Sequence, residues 1–294
     1  MRHSLFRPVF SSTLSTPLRP CSSFSSHVRP LSTTAPRRST SPETPTSRLN
    51  PRILSELKSR IGKCISFGLN KEQTNEACSM LEEMALDWRG MLVGSEGFLT
   101  SKDRIGLYRQ EVVWGEMDAM CGHVNNVVYN RYAESARVNW TRSFANIFDP
   151  KHREEWRELM TPLSVGLILR SIRTDYKFPV TYPDRVSVLH KLHREPTPDA
   201  DHFKLDVVIL SETHRRIAAR CFEDIVVYDY RAAKKAPLRP FMIEQFKEVW
   251  RLQEEAKETY TKKVHSLIES VRKLEKASWD RPDAKEDLGS AAKA

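Results

Sequence analysis

The stretch that decides the fold is residues 113–132, which read VWGEMDAMCGHVNNVVYNRY. A strand-like run over Leu107–Trp114 leads into it, and a polar, glycine-bearing turn occupies residues 115–122. The pattern then predicts a long helix from about Asn126 to Phe144. Small and large side chains mix along one face of this helix: Val128, Tyr132, Ser135, Ala136, Asn139 and Trp140. Such a face is typical of a helix that other elements wrap closely.

Four strand-like runs follow this helix. They are Ser164–Phe178, Asp184–His193, His202–Glu212 and Arg216–Tyr230. Apolar and β-branched residues alternate in them, as in half-buried antiparallel strands, and prolines fall between the runs. A strand, a long helix and a series of antiparallel strands together predict an α+β fold.

Helices are predicted on both sides of this core. Apolar residues recur at helical spacing over residues 53–65 and again over 77–88; the second helix is expected to start at Asn70 and to end at Gly90. A C-terminal helix is predicted from Phe241 to about Lys276, with an apolar seam over residues 260–274. The N-terminal pair is expected to pack on the main domain. The C-terminal helix is expected to dock on that domain, on a sister subunit or on another protein.

Residues 1–42 contain six arginines and no lysine, aspartate or glutamate. An Arg- and Ser-rich segment without acids is typical of a mitochondrial transit peptide. We therefore expect a mitochondrial matrix protein. The expected organisation is a disordered transit peptide over 1–45, a helical extension over 46–106, the main domain over 107–240, a C-terminal helix over 241–278 and a disordered tail over 279–294.

The formal net charge is +9, and six of those charges belong to the first 42 residues, which leaves +3 for the rest of the chain. That balance does not indicate direct contact with nucleic acid. No apolar run approaches the roughly 18 residues that a membrane span needs. The five cysteines are dispersed, without a CxxC pair. We therefore expect reduced thiols, no metal and no cofactor.

The motif Gly122-His123-Val124-Asn125-Asn126, with an acidic residue before it and an aromatic-bearing helix after it, resembles the signature of hotdog-fold acyl-CoA thioesterases of the 4-hydroxybenzoyl-CoA type. Glu134-x-x-Arg137 is similar to the helix continuation in that family. The segments Asp175–Val180 and Tyr182-Pro183-Asp184 resemble the family's "D-Y-x-x-P-x-x-x-x-D" stretch. The resemblance covers about residues 107–240.

This resemblance implies a hotdog fold, in which a strongly curved antiparallel sheet wraps around the long central helix; the extra N- and C-terminal helices flank it. It also implies a homodimer or a dimer of dimers, with acyl sites at the subunit interface. The substrate would be an acyl-CoA or an acyl-carrier-protein thioester.

The family resemblance assigns Asp118 as nucleophile or general base, and His123 as the residue that orients it or binds the substrate. The start of the helix supplies unpaired amides for an oxyanion. Asn125, Asn126 and Val127 are the candidate oxyanion and acyl-binding residues. Each has a structural alternative: Asp118 and His123 as residues that hydrogen-bond the turn, and the two asparagines as helix caps. Cys121 is not expected to be a nucleophile, because the motif has no second histidine to activate it, and Glu134 is expected to form an ion pair with a nearby arginine.

The chain departs from the family in one respect. Family members usually place the histidine four residues after the aspartate, whereas Asp118 and His123 are five apart. Five is the spacing of hotdog enoyl-CoA hydratases, whose intervening Asn-Pro is missing here. Three functions remain open. The first is a mitochondrial thioesterase, and the second is a hotdog domain without catalysis that serves a matrix assembly such as the mitoribosome. Hydratase activity is a third alternative.

Overall fold

The computed structural model describes residues 50–197 and 199–286. The expected transit peptide and the end of the expected tail lie outside these residues. Six helices are assigned in the described part: α1 Ile53–Ser66, α2 Lys71–Leu86, α3 Trp88–Val93, α4 Asn126–Ser143, α5 Arg153–Glu158 and α6 Pro240–Ala277. The strands of the described part are β1 Ile105–Glu111, β2 Val165–Tyr176, β3 Arg185–Leu192, β4 His202–Ser211, β5 Arg216–Asp229 and the short β6 Lys234–Lys235.

The strands form one antiparallel sheet with the order β1-β3-β4-β5-β2, and β6 pairs with β5. The central helix α4 packs on one face of this sheet. This is the hotdog arrangement in an α+β fold, and the prediction of fold class is confirmed. The four predicted strand runs after the helix agree with β2 to β5 to within two residues at each end.

Close contact between α4 and β1 explains the small residues on the predicted helix face. A Cβ on Gly106 would lie 2.3 Å from the carbonyl oxygen of Ala136. Asn139 also donates from Nδ2 to the Gly106 carbonyl at 3.0 Å. The helix and the edge strand therefore meet with no room for a larger side chain at either position.

The sheet is buried on both faces over β3 and β4. Val186, Val188, Val207 and Ile209 face the cluster around α4, whereas Leu189, Val208 and Leu210 belong to the cluster of the N-terminal helices. The period-2 alternation of side chains produces these two faces. The N-terminal helices thus pack on the main domain, as predicted, and they cover the outer face of the sheet.

The long helix α6 contributes to both hydrophobic clusters. Its first half places Met242, Phe246 and Val249 in the cluster around α4. The predicted seam in its second half packs with α1 to α3, through Val264, Leu267, Val271 and Leu274. Docking of the seam on the same chain is therefore confirmed. Between the two halves, the buried Gln253 side chain accepts from the Leu192 amide at 2.8 Å and donates to the Leu192 carbonyl at 3.1 Å.

Two local predictions were wrong. Gly90 does not stop a helix: the chain breaks at Asp87, and Gly90 lies inside α3, where a Cβ would come within 2.2 Å of the Tyr260 ring. Strand β1 begins and ends earlier than predicted. Residues 114–116 form a 3-10 turn in place of the predicted strand end, and Arg109 interrupts the strand with a φ of 52°. Among the described residues, none of the helices has the length and hydrophobicity for crossing a membrane.

Candidate active site

The candidate motif folds as a small hairpin in front of α4. Met117 bridges Val124, and the Asp118 amide donates to the His123 carbonyl at 2.7 Å. Gly122 occupies the left-handed region with a φ of 67°, which a glycine adopts without strain. Asp118 and His123 therefore stand opposite each other at the base of the turn, and the additional residue is accommodated between them.

The Asp118 carboxylate is held by its own turn. Its Oδ1 accepts from the amides of Met120 at 3.0 Å and Cys121 at 3.2 Å. Its Oδ2 accepts from the Asn125 side-chain amide at 3.3 Å. Because these donors favour the charged form, the two backbone hydrogen bonds foremost, they lower the pKa of Asp118 below its usual value. Oδ2, with a single long hydrogen bond, is the oxygen that retains capacity to accept a proton or contact a substrate.

The His123 imidazole has a defined tautomer when it is neutral. Its Nδ1 lies 2.9 Å from the carbonyl oxygen of Val124. A carbonyl oxygen only accepts, so Nδ1 must carry the proton and Nε2 is left as an acceptor. A neutral His123 therefore presents Nε2 as a hydrogen-bond acceptor.

Asn125 is the N-cap of α4. Its Oδ1 accepts from the Val127 amide at 3.0 Å, and its carbonyl accepts from the Val128 amide at 2.9 Å. Of the three candidate residues, Val127 thus has its amide bound within the helix cap, and the Asn125 amide donates to the Glu116 carbonyl at 2.9 Å. Among the described residues, the Asn126 amide has no acceptor, and it is the first-turn donor available to a ligand. The Val127 side chain is 66% exposed.

A groove of about 330 Å³ lies at this end of α4. It is lined by His123, Asn126, Tyr129, Tyr176, Lys177, Phe178 and Pro179. Of the predicted site residues, the structure brings His123 and Asn126 together in its wall. Asp118 and Asn125 lie in the supporting turn behind them. Where a substrate binds and which of these residues act on it stay predictions.

The aromatic residues of the groove were not among the predicted site residues. Tyr176 donates to the Asn126 carbonyl at 3.0 Å, and its ring meets that of Tyr129 edge-on at 5.3 Å. The Tyr129 hydroxyl accepts from the buried Val180 amide at 3.0 Å. These contacts fix the strand end that carries Asp175–Val180 against the helix start. The resemblance of that segment to the family stretch was the signal that pointed here.

Another polar cluster lies between α4 and the sheet. Arg137 donates from Nη1 to Glu223 at 2.6 Å, and His190 Nε2 lies 3.8 Å from the other oxygen of Glu223. Burial raises the pKa of Glu223 to about 7, opposed by the charge of Arg137. Burial and the same charge lower the pKa of His190 to about 3. The expected ion pair of Glu134 is not formed among the described residues, because Arg137 turns inward to Glu223.

Comparisons with known proteins agree with the geometry. Residues 112–246, a little under half of the chain, match the model of a family described as the thioesterase-like superfamily. The comparison with curated proteins found no match. The family match and the hotdog fold support the thioesterase-like hotdog superfamily for this region.

Solved structures of thioesterases resemble about half of the chain. A thioesterase complexed with coenzyme A and zinc from Thermus thermophilus is 19% identical, with 50% of this chain and 95% of that chain covered and a TM-score of 0.38. The DHNA-CoA thioesterase of Staphylococcus aureus is 18% identical, with 50% and 92% covered and a TM-score of 0.39. A 1,4-dihydroxy-2-naphthoyl-CoA thioesterase from Synechocystis is also 18% identical, with the same coverage and a TM-score of 0.36.

Proposed function

We propose that the protein hydrolyses a thioester, either an acyl-CoA or an acyl-carrier-protein, to the free acid and the thiol. The observation that carries this proposal is one groove lined by both His123, whose neutral imidazole leaves Nε2 as an acceptor, and Asn126, whose amide has no acceptor among the described residues. A proton acceptor beside an oxyanion donor is what thioester hydrolysis requires.

In the proposed reaction, water attacks the thioester carbonyl carbon, and the developing oxyanion accepts from the Asn126 amide. The proton of the water passes to His123 Nε2 or to Asp118 Oδ2. The carbon–sulfur bond then breaks, and the thiolate leaves with that proton. Asn125 holds the carboxylate in register with the helix start, because it bonds to both Asp118 and the Val127 amide.

The test is an assay of the full chain against acyl-CoAs of varied length, with release of free thiol as the readout. Asp118→Asn and His123→Gln separate the two candidate bases. Loss of turnover in either variant, with an unchanged unfolding midpoint, supports hydrolysis at this site. A chain that releases no thiol from any acyl length contradicts the proposal. Release of thiol without hydration of an enoyl-CoA eliminates the hydratase alternative.

One observation favours the alternative that the hotdog domain has no catalytic activity. The turn amides that bind Asp118 Oδ1 leave that carboxylate less available than a free base. If no thioester is cleaved and the chain sediments with a large mitochondrial particle, the domain serves that assembly structurally.

For localisation, we propose the mitochondrial matrix, supported by the arginine-rich, acid-free composition of residues 1–42. A fluorescent protein that carries residues 1–45 at its N-terminus is expected to enter mitochondria. The same fusion with the six arginines replaced by glutamine is expected to stay outside them. Equal distribution of the two fusions contradicts the proposal.

For assembly, we propose a homodimer through the outer edge of β2. That edge strand is 12 residues long, and within the described part of the chain it pairs only with β5, on its inner side. An unpaired edge of this length is a template for pairing with a second chain. Helices α1 to α3 cover the outer face of the sheet, so two dimers cannot pack together through that face. Light scattering is expected to give twice the mass of one chain. A particle with four times the mass of one chain contradicts the proposed dimer.

A further inference from the structure

A small basic pocket lies where the start of the N-terminal helices meets the end of the sheet. It has a volume of about 250 Å³ and is lined by Pro51, Arg52, Lys177, Arg216, Ile217 and Arg220. Pro51 and Arg52 directly precede α1, Lys177 directly follows β2, and the other three belong to β5. Three separate segments therefore bring cationic side chains to one concave surface.

Most of this positive charge is not neutralised by the protein. Arg220 forms a paired contact with Glu96, at 2.6 and 2.8 Å. Lys177 has only a marginal contact with Asp175, at 3.9 Å. Among the described residues, neither Arg52 nor Arg216 forms an ion pair. An anion that enters the pocket would meet at least two free guanidinium groups.

Neighbouring side chains add to the positive potential. Lys58, about a turn and a half after Arg52 in the chain, has a lowered pKa because of burial and the charge of Arg215. Arg215 itself directly precedes Arg216 at the start of β5. Concentrated cations of this kind repel one another, and a bound anion relieves that repulsion.

The pocket adjoins the candidate active site. Lys177 lines both the pocket and the groove beside His123. Phe178, in the groove wall, carries the guanidinium of Arg216 over its ring at 4.4 Å. The residue pair 177–178 therefore joins the groove beside His123 to the cationic pocket.

We propose that this pocket binds the phosphate groups of a phosphopantetheine-bearing ligand whose thioester lies in the groove. Arginine guanidinium groups suit phosphate because their planar N–H donors match its oxygens. The N-terminal extension thereby takes part in substrate binding through Arg52, which lies outside the family match at 112–246. This inference rests on the proposed function.

The experiment measures coenzyme A binding to the full chain by calorimetry, with Arg52→Ala and Arg216→Gln as test variants. Glutamine keeps a planar group over Phe178, so that the groove wall is preserved. Lys247→Ala is the matched control, since it removes one exposed charge at a different surface. Each test variant is expected to raise the Kd roughly 10-fold, and the control less than about 2-fold. Added salt is expected to weaken binding to the parent chain.

Three ligands distinguish the sources of phosphate. A loss of affinity for 3′-dephospho-CoA relative to coenzyme A assigns the pocket to the 3′-phosphate. Equal binding of coenzyme A and phosphopantetheine, with equal effects of Arg52→Ala, assigns it to the phosphate that a carrier protein also presents. Binding of all three ligands with unchanged affinity in both test variants overturns the proposal.

Turnover separates this proposal from the proposed function. The ratio of kcat/KM for acyl-CoA to that for the matching acyl-N-acetylcysteamine, which lacks phosphate, is expected to fall about 10-fold in each test variant. An unchanged ratio with retained hydrolysis overturns the pocket and leaves the thioesterase intact. Weakened coenzyme A binding in a chain that cleaves neither thioester keeps the pocket and overturns the hydrolysis.

Discussion

Gly122 shows how the additional residue of the motif is accommodated. Its φ of 67° lies in the left-handed region, and a Cβ there would meet no atom within 4 Å. Only the backbone conformation, and not crowding, therefore opposes a larger residue. The lengthened turn depends on this glycine.

We expect Gly122→Ala to lower the free energy of unfolding by about 1 kcal/mol, because alanine resists the left-handed region. Urea unfolding measures the change. Gly115→Ala is the matched control, since that glycine also faces open space but without a positive φ. A loss of the same size in both variants contradicts the conformational explanation.

Asn125 links the stability of the turn to its chemistry. We expect Asn125→Ala to cost about 1 kcal/mol of stability, the usual effect of losing an N-cap. The variant also releases Asp118 Oδ2 and the Val127 amide, so kcat is expected to fall as well. Asn70→Ala removes the cap of α2 and controls for stability alone. If both variants lose turnover equally, Asn125 acts only through stability.

The sequence identified the segment that forms the candidate site, but not which hydrogen bonds its side chains make. The motif predicted a turn, a cap and a helix start, and these are present at Asp118, Asn125 and Asn126. Whether the Asp118 carboxylate is bound by its own turn depends on how five residues close that turn. The spacing alone does not determine this. Tyr129 and Tyr176 were missed because their contact joins residues 47 positions apart in the chain.

Gly90 and Gly94 are needed for packing, because both lie against the ring of Tyr260. Gly90 and Gly94 lie against the two sides of this ring, with Cβ positions 2.2 and 2.3 Å from its atoms. The sequence pattern predicted Gly90 to be a helix stop, because the partner ring is 170 residues away. Helix periodicity carries no information about a contact of that kind.

We expect Gly90→Ala to destabilise the protein by about 1–3 kcal/mol, as overpacking does. Gly62→Ala in α1 is the control, since no atom lies within 4 Å of its Cβ, and it is expected to stabilise by up to about 1 kcal/mol. Combining Gly90→Ala with Tyr260→Ala is expected to cost less than the sum of the two changes. Strict additivity, measured by urea unfolding, contradicts the contact.

The buried pair of Arg137 in α4 and Glu223 in β5 predicts that the free energy of unfolding depends on pH. Because the pKa of Glu223 is raised to about 7 from 4.5, its contribution to stability is complete below pH 4.5 and lost as the pH rises through 7. Arg137 limits this loss by stabilising the charged form. Arg137→Met is therefore expected to destabilise by about 3 kcal/mol at pH 8 and by much less at pH 5.

Urea unfolding of the Arg137→Met variant at both pH values measures this difference. Adding Glu223→Gln is expected to abolish the pH dependence of the loss, since no buried carboxylate is then left without its partner. An equal loss at pH 5 and pH 8 in the single variant contradicts the role of Glu223 ionisation.

Across the whole molecule, α6 holds the N-terminal helices to the sheet. Val264 is fully buried in the seam, whereas Ser266, on the same turn, is exposed. We expect Val264→Asp to cost about 3–5 kcal/mol, because it buries an unpaired charge, and Ser266→Asp to have little effect. Hydrogen exchange in α1 to α3 is expected to increase with Val264→Asp. Unchanged protection there contradicts the dependence of these helices on α6.

The two-cluster organisation was only partly predictable. Periodicity placed the flanking helices and their apolar faces, since each stripe is a local property of the sequence. It left open which partner the seam meets, because α1 to α3 and the seam of α6 lie far apart in the sequence. The burial of both faces of β3 and β4 follows from the same contact.

The position of α6 also sets an order for folding during synthesis. Helices α1 to α3 leave the ribosome well before the seam of α6 that covers part of their apolar faces, because the whole sheet lies between them in the chain. Until the seam is made, these faces lack that cover, which is the condition under which nascent chains aggregate or need chaperones. A chain stalled before residue 260 is therefore expected to be held by chaperones, although its sheet and central helix are already complete.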